Sequence, residues 1–170
     1  MINDKTFELI NSQINKEFYS AYLYLSFSTW LDNHGLVGFA NWYSIQAQEE
    51  RDHALLFMKY MSNNGKRVEL DAIEKPIHNF VSAKEIIEEG LKHEQFVTAS
   101  IHEIYDEAMK NKDYRTTQFL DWFVKEQGEE EKNAEDLLRR WQLYGEDSKS
   151  LYMLDAELAT RVYTAPSLVI

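Results

Sequence analysis

The stretch that decides the fold lies between Gly65 and Val81 and reads GKRVELDAIEKPIHNFV. It contains Pro76, shows no helical periodicity, and at about 16 residues is longer than ordinary loops, which rarely exceed ~12–15 residues. Fully extended it reaches roughly 50 Å, which matches the roughly 45 Å length of a helix of about 30 residues. We therefore predict that it runs the full length of a helical bundle, so that the helices on its two sides are parallel.

Helical patterns occupy the chain on both sides of this crossover. Capping and stop signals bound four long patterns, in chain order Asn3 or Asp4 to Asn33-His34-Gly35, Val37-Gly38 to Asn63-Asn64-Gly65, Ser82 to about Ala108, and Asp113 to Gly145. Only about three or four residues separate the first two patterns and the last two, so each pair is predicted to form an antiparallel hairpin. A short amphipathic stretch over about 150–163, with Leu151, Leu154, Leu158 and Val162 on one side, predicts a fifth helix.

Composition agrees with an all-α fold. The 170 residues include six Gly and two Pro, which is too few turn formers for many short strands. We predict a single domain over residues 1–170, built as a four-helix bundle over about 4–144 with a short C-terminal helix.

Charge and cysteine content narrow the function. The absence of Cys excludes disulfides, thiolate zinc sites and Cys-bound iron–sulfur clusters, and suits the reducing cytoplasm. A formal net charge of −11 argues against nucleic acid and anionic membranes as partners and favours cations. No stretch approaches the ~20 apolar residues of a membrane span.

Each long helix carries polar residues inside its apolar stripe, near its middle. In chain order these residues are Glu17, with Tyr24 two turns further on; Gln46, Glu49 or Glu50, and His53; Glu94; and Gln127 with Glu130. At ~1.5 Å per residue the carboxylates, His53 and Gln127 fall roughly 17–26 Å from the same end of the bundle. They can therefore converge in one buried layer.

Converging carboxylates predict a metal site. Several carboxylates in an apolar interior each lose several kcal/mol of solvation, roughly, and repel one another unless cations neutralise them. Oxygen ligands with a single imidazole suit iron or manganese, and the spacing Glu50-x-x-His53 puts both groups on one face of a helix.

At these residues the chain resembles the non-haem bacterial ferritins over nearly its whole length. The matching ferroxidase motif consists of Glu17, Tyr24, Glu50, His53, Glu94, Gln127 and Glu130, and the matching third iron site of Glu49, Glu126 and Glu129. The resemblance implies a di-iron centre within each subunit, with Tyr24 as a candidate electron donor and Trp122 close by. It further implies that Fe(II) is oxidised by dioxygen or hydrogen peroxide and stored as ferric mineral in a hollow shell of 24 subunits.

Single positions separate this chain from related families. Bacterioferritins place a haem-ligating Met directly after the Glu of the first Glu-x-x-His and repeat that motif on the fourth helix. Here Arg51 and the pair Gln127/Glu130 occupy those places, so no haem is expected. The four remaining histidines, His34, His78, His93 and His102, fall off the inward stripes and are interpreted as surface or capping residues.

Two other functions remain open from the residues themselves. A di-iron oxygenase would use the same ligands on an organic substrate, and would need an apolar pocket and a reductase. A purely structural bundle, whose acids are only surface groups, would not consume oxygen with Fe(II).

Overall fold

The computed structural model describes residues 3–170. Its five helices are α1 (Asp4–Asn33), α2 (Val37–Asn63), α3 (Ala83–Lys110), α4 (Tyr114–Tyr144) and α5 (Ser148–Leu158). The pairs α1–α2 and α3–α4 pack as hairpins, α1 also packs on α3, and α5 packs on α2 and α4. The predicted all-α four-helix bundle with a short fifth helix is confirmed. No helix among these residues combines the length and apolar character needed to span a membrane.

The crossover between α2 and α3 runs along the outside of α1. Asn11 Nδ2 donates to the carbonyl of Glu69 at 2.8 Å, and Ser26 Oγ donates to the carbonyl of Ile77 at 2.7 Å. The later residue of α1 thus bonds to the later residue of the crossover, so the crossover runs in the same direction as α1. It ends at the end of the bundle where α2 began. Helices α2 and α3 are therefore parallel, as the length of the segment predicted.

The helix ends follow the capping signals in the sequence. The side chains of Asn3, Ser82 and Asp113 each accept a backbone N–H three residues on, at 2.7, 3.2 and 3.2 Å. Gly35 and Gly65 have φ of 77° and 69°, the left-handed conformation that ends α1 and α2.

Helix α5 differs from its predicted range of about 150–163. It begins two residues earlier because Asp147 caps it, accepting the Ser150 N–H at 2.7 Å. It ends at Leu158 because Asn41 Nδ2 donates to the carbonyls of both Leu158 and Arg161, at 3.2 and 3.0 Å, and turns the chain off the helix axis. Val162, expected on the apolar side, lies outside the helix and is 78% exposed.

A buried carboxylate joins α5 to the start of α2. Asp155 Oδ1 accepts the N–H groups of Gly38 and Phe39 at 2.9 and 3.0 Å, in a helix whose own N-cap residue, Leu36, supplies no side-chain bond. Gly38 permits this contact, because a Cβ there would lie 1.7 Å from the Asp155 carbonyl oxygen.

The interior divides into two apolar clusters with a polar layer between them. The cluster at the α5 end includes Phe27, Phe39 and Ile87, and the other includes Ile14, Phe57 and Phe123. The side chains that interrupt the helical stripes lie in the layer that separates these clusters.

Candidate metal centre

The structure buries every predicted di-iron ligand. Exposed fractions are 5% or less for six side chains, Glu17, Glu50, His53, Glu94, Gln127 and Glu130. Each of the four long helices contributes at least one of them. Burying four carboxyl groups in one layer costs free energy unless hydrogen bonds or a bound cation compensate. The hydrogen-bond partners of each carboxyl group therefore show where a cation could bind.

One half of the layer is a preformed cluster of ligand atoms. Glu17, Glu50 and His53 each place one ligand atom within 4.8 Å of the other two. Four buried atoms of these side chains have no hydrogen-bond partner, namely Glu17 Oε2, Glu50 Oε1 and Oε2, and His53 Nδ1. Unpaired acceptors of this kind normally cost ~1–3 kcal/mol each, and a bound cation would satisfy all of them. The donor set therefore fits an iron-like cation.

The other half is held by hydrogen bonds among protein groups. The Tyr24 hydroxyl donates to Glu94 Oε1, Gln127 Nε2 donates to Glu94 Oε2 at 3.1 Å, and Gln46 Nε2 donates to Glu130 Oε2 at 2.9 Å. A cavity of about 20 Å³ reaches Tyr24, Glu94 and Glu130. This half supplies oxygen ligands only, in contrast to the half that contains His53.

Burial raises the pKa of the carboxyl groups of the layer. It raises the pKa of Glu17 and Glu50 well above the ordinary value, and the neighbouring carboxylates raise both further. Burial likewise raises the pKa of Glu94, and it raises that of Glu130 to about 8. Protons therefore compete with a divalent cation for these groups.

Two glutamines support the layer. Gln13 was missed by the sequence analysis, although it lies one turn before Glu17, and its Nε2 donates to Glu17 Oε1 at 2.8 Å. Gln46 was noted in the stripe of α2 but given no role, and here it holds Glu130. An amide one turn from a buried carboxylate is the signal that points to such a positioning residue.

The interpretation of His93 as a surface or capping residue is wrong. Its side chain is buried against α1, and its Nε2 lies 2.8 Å from Ser20 Oγ. Because α3 packs on both α1 and α4, its buried arc is wider than one stripe. His34, His78 and His102 are exposed as predicted, and His34 is the C-cap residue of α1.

The three carboxylates predicted to form a third site do not form a cluster of the kind seen at Glu17, Glu50 and His53. Glu49 is half-buried and pairs with Arg161 at 2.7 Å, Glu126 is half-buried and Glu129 is exposed. Within residues 3–170 no set of ligand atoms from these three lies within 4.8 Å of one another. Trp122 lies beside the centre as expected, with its ring centroid 5.7 Å from that of His53.

Comparison with known proteins gives one consistent result. Residues 7–144 match the family model for the ferritin-like domain. A probable bacterial non-heme ferritin-like protein of Haemophilus influenzae is 39% identical, covering 93% of this chain and 96% of its own. The bacterial non-heme ferritin of Staphylococcus saprophyticus is also 39% identical, over 96% of this chain and 98% of its own.

Solved structures agree with these sequence matches. An engineered closed form of the Archaeoglobus fulgidus ferritin superposes with a TM-score of 0.94 at 44% identity, covering 96% of this chain and all of that one. An open-pore ferritin from the same archaeon gives a TM-score of 0.93 at 44% identity, covering 95% and 100%.

Proposed function

This chain belongs to the ferritin family, and on that premise we propose that it stores iron and has ferroxidase activity, oxidising Fe(II) to Fe(III). The observation that carries the proposal is the buried, unpaired ligand set of Glu17, Glu50 and His53, which faces two further buried carboxyl groups. Iron is here the substrate and the cargo.

We assign the two substrate positions to the two halves of the polar layer. The first Fe(II) binds Glu17, Glu50 and His53, and the second binds oxygen atoms of Glu50, Glu94 and Glu130, with Gln127 at its side. Unequal ligand sets give the two ions unequal affinity, because only the first has an imidazole.

The protein's own groups move protons and hold geometry during oxidation. As two Fe(II) bind, the carboxyl groups release protons. Two Fe(II) then give up one electron each, and dioxygen takes both electrons with two protons to become hydrogen peroxide; peroxide as oxidant is instead reduced to water. Tyr24 fixes Glu94 through its hydroxyl and is an oxidisable phenol in contact with a ligand.

The third site is a separate part of this proposal. Glu49, Glu126 and Glu129 would hold an iron between the di-iron centre and the store. Replacing all three with Gln leaves fast oxidation of the first two irons per subunit intact, and changes the oxygen consumed per iron or the rate at which the centre regenerates. Unaltered oxygen stoichiometry and regeneration would contradict this site.

We propose that the chain forms one domain and assembles into a hollow shell of 24 copies that holds the ferric mineral. A location in the cytoplasm remains a prediction from the sequence.

Size-exclusion chromatography with light scattering, combined with an oxygen electrode, tests the proposal. We expect a particle far larger than a dimer and Fe(II)-dependent oxygen uptake. A monomer or dimer would contradict storage, and absence of Fe(II) oxidation with both dioxygen and hydrogen peroxide would leave only a structural bundle. A di-iron oxygenase is disfavoured by the 20 Å³ cavity beside the centre, which has room for about one water and none for an organic substrate.

A further inference from the structure

The chain after α5 forms a strap across α2 and α4. We call residues 159–170 the C-terminal strap; they are not helical. Along the strap, Arg161 contacts Glu49, the Tyr163 hydroxyl donates to Asp52, and Ser167 Oγ accepts Trp122 Nε1–H at 3.1 Å. Leu168 and Ile170 then pack on the apolar cluster that contains Phe57 and Phe123. The strap thus passes the outer side of the polar layer.

Arg161 is the most firmly held residue of the strap. Its Nη2 lies 2.7 Å from Glu49 Oε2, its Nη1 donates to the Trp42 carbonyl at 3.3 Å, and its guanidinium lies 4.1 Å from the centroid of the Trp42 ring. Asn41 Nδ2 holds its carbonyl oxygen at 3.0 Å. The Arg161 and Glu49 side chains are only 19% and 18% exposed, unlike the ordinary surface pairs of this chain, such as Lys5–Glu8 at 60% and 67%.

This contact places a fixed positive charge where a third metal ion would bind. Glu49 is one of the three carboxylates proposed for that ion, and Arg161 already occupies one of its oxygens. A divalent cation on Glu49 would stand within a few ångströms of the guanidinium, at a partly buried position where water screens the repulsion between like charges only weakly. Binding of the ion to Glu49 and pairing of Arg161 with Glu49 therefore exclude each other.

We propose that Arg161 is an internal competitor for the third cation position, so that a divalent ion binds Glu49 only when the C-terminal strap moves and Arg161 separates from Glu49. The proposal rests on the proposed function for the identity of the ion as iron. The coupling works in both directions: removing the arginine charge strengthens the third position, and filling that position loosens the strap.

The test uses Zn(II), a redox-inert probe, on the whole assembled protein. Crystals are soaked over a range of Zn(II) concentrations, and anomalous scattering gives the occupancy at Glu49 separately from the two inner positions. We expect Arg161→Gln to reach half-occupancy at Glu49 at a Zn(II) concentration at least tenfold lower than wild type, with the inner positions unchanged. Arg161→Lys, which keeps the charge, should behave like wild type. Arg140→Gln is the matched control. Arg140 also forms an ion pair, with Glu157 at an N–O distance of 2.6 Å, but that pair lies away from the polar layer.

A second readout follows the strap itself. Carboxypeptidase should remove strap residues several-fold faster from wild type once Zn(II) occupies Glu49, and at an unchanged rate when Zn(II) fills only the inner positions. In Glu49→Gln the rate should not respond to Zn(II) at all.

Two results would overturn the proposal. One is equal Zn(II) occupancy at Glu49 in wild type and Arg161→Gln, and the other is a rate of strap removal by carboxypeptidase that does not change when Zn(II) occupies Glu49. Failure of the proposed function looks different. If Fe(II) oxidation were absent while Arg161→Gln still strengthened Zn(II) at Glu49, the competition would stand and the ferroxidase assignment would fall.

Discussion

Glu50 is buried at a large electrostatic cost. Its side chain is 1% exposed, neither carboxyl oxygen is hydrogen-bonded, and the carboxylates of Glu94 and Glu130 raise its pKa after burial has already done so. A protonated acid limits that cost in the metal-free protein, and a cation removes it in the loaded one. The same buried carboxyl groups therefore lower the stability of the metal-free fold and favour binding of a cation.

Replacing Glu94 with Gln tests this trade. The variant removes one carboxyl group from the layer. Its amide oxygen can still accept the Tyr24 hydroxyl, and its amide N–H can donate to the Gln127 amide oxygen once the Gln127 amide flips, so the melting temperature of the metal-free protein should rise or stay level. Rapid Fe(II) oxidation should disappear, because the second substrate position loses a charged ligand. Calorimetry on one assembly state at one scan rate, with stopped-flow oxidation, measures both.

The control for that variant is Glu103→Gln, an exposed acid on the same helix, which should change neither quantity. If Glu94→Gln melted well below wild type without metal and still oxidised Fe(II) quickly, Glu94 would be a structural residue.

The metal-free protein should lose stability as the pH rises from about 6.5 to about 8. The folded chain keeps a proton on Glu130, whose pKa is raised to about 8, whereas the unfolded chain has released it above the ordinary value of 4.5. The folded state therefore binds more protons in this window, and stability falls by up to about 1.4 kcal/mol per pH unit for each proton held. Melting temperatures across the window measure the slope.

The pH dependence of stability also has a contribution from His93, and two controls separate that contribution from Glu130. Burial lowers the pKa of His93 to about 4, which destabilises the fold with the opposite slope, but only below its ordinary value of 6.5. Glu130→Gln should flatten the slope above pH 6.5, and Zn(II) should do so as well. A melting temperature that rises with pH in metal-free wild type would show that these carboxyl groups are ionised in the folded state.

At the scale of helices, α5 is tied to the bundle by one buried carboxylate. Asp155→Asn keeps the size of the side chain and removes the charge that faces the N-terminus of α2. We expect a loss of ~1–2 kcal/mol in stability and earlier protease cleavage in α5 and the strap than in α1–α4. Limited proteolysis with mass spectrometry gives the order of cleavage, and exposed Asp147→Asn, whose amide oxygen can still accept the Ser150 N–H and cap α5, should cost less.

Helix positions were predictable from the sequence where a local signal sets them. The caps at Asn3, Ser82 and Asp113, and the glycine stops at Gly35 and Gly65, act within three residues of the helix end, so the pattern predicts α1 to α4 closely. The end of α5 depends on Asn41, more than a hundred residues away in the chain, and no local pattern reports such a contact.

The candidate site divides in the same way. Its buried carboxyl groups were predictable because carboxylates inside apolar stripes violate a periodicity that burial enforces. The seat of Arg161 on Glu49 and the burial of His93 were not predictable, since each depends on which faces of two distant segments meet.

On the scale of the whole molecule, one apolar surface has no cover within the subunit. A groove of about 330 Å³ lies on the outer face of α1 and α2, lined mainly by apolar atoms of Phe18, Tyr22, Leu25 and Ile73. Tyr22 and Leu25 are 51% and 45% exposed, although Leu25 follows the apolar pattern of α1. A closed shell must bury such a face, and each copy that meets another there gains ~1.5–3 kcal/mol for every large side chain covered.

Leu25→Asp should therefore break the shell into small species without unfolding the subunit. The side chain is exposed within the subunit, so helix content by circular dichroism stays unchanged, whereas burying a carboxylate between copies costs several kcal/mol, roughly, at each repeated contact. Light scattering after size exclusion measures the mass. Initial Fe(II) oxidation should survive, because all proposed ligands come from one subunit, while the soluble ferric store is lost. Val162→Asp, at a more exposed apolar position on the strap, should assemble normally. A Leu25→Asp particle of wild-type mass would show that the groove lies outside the subunit contacts.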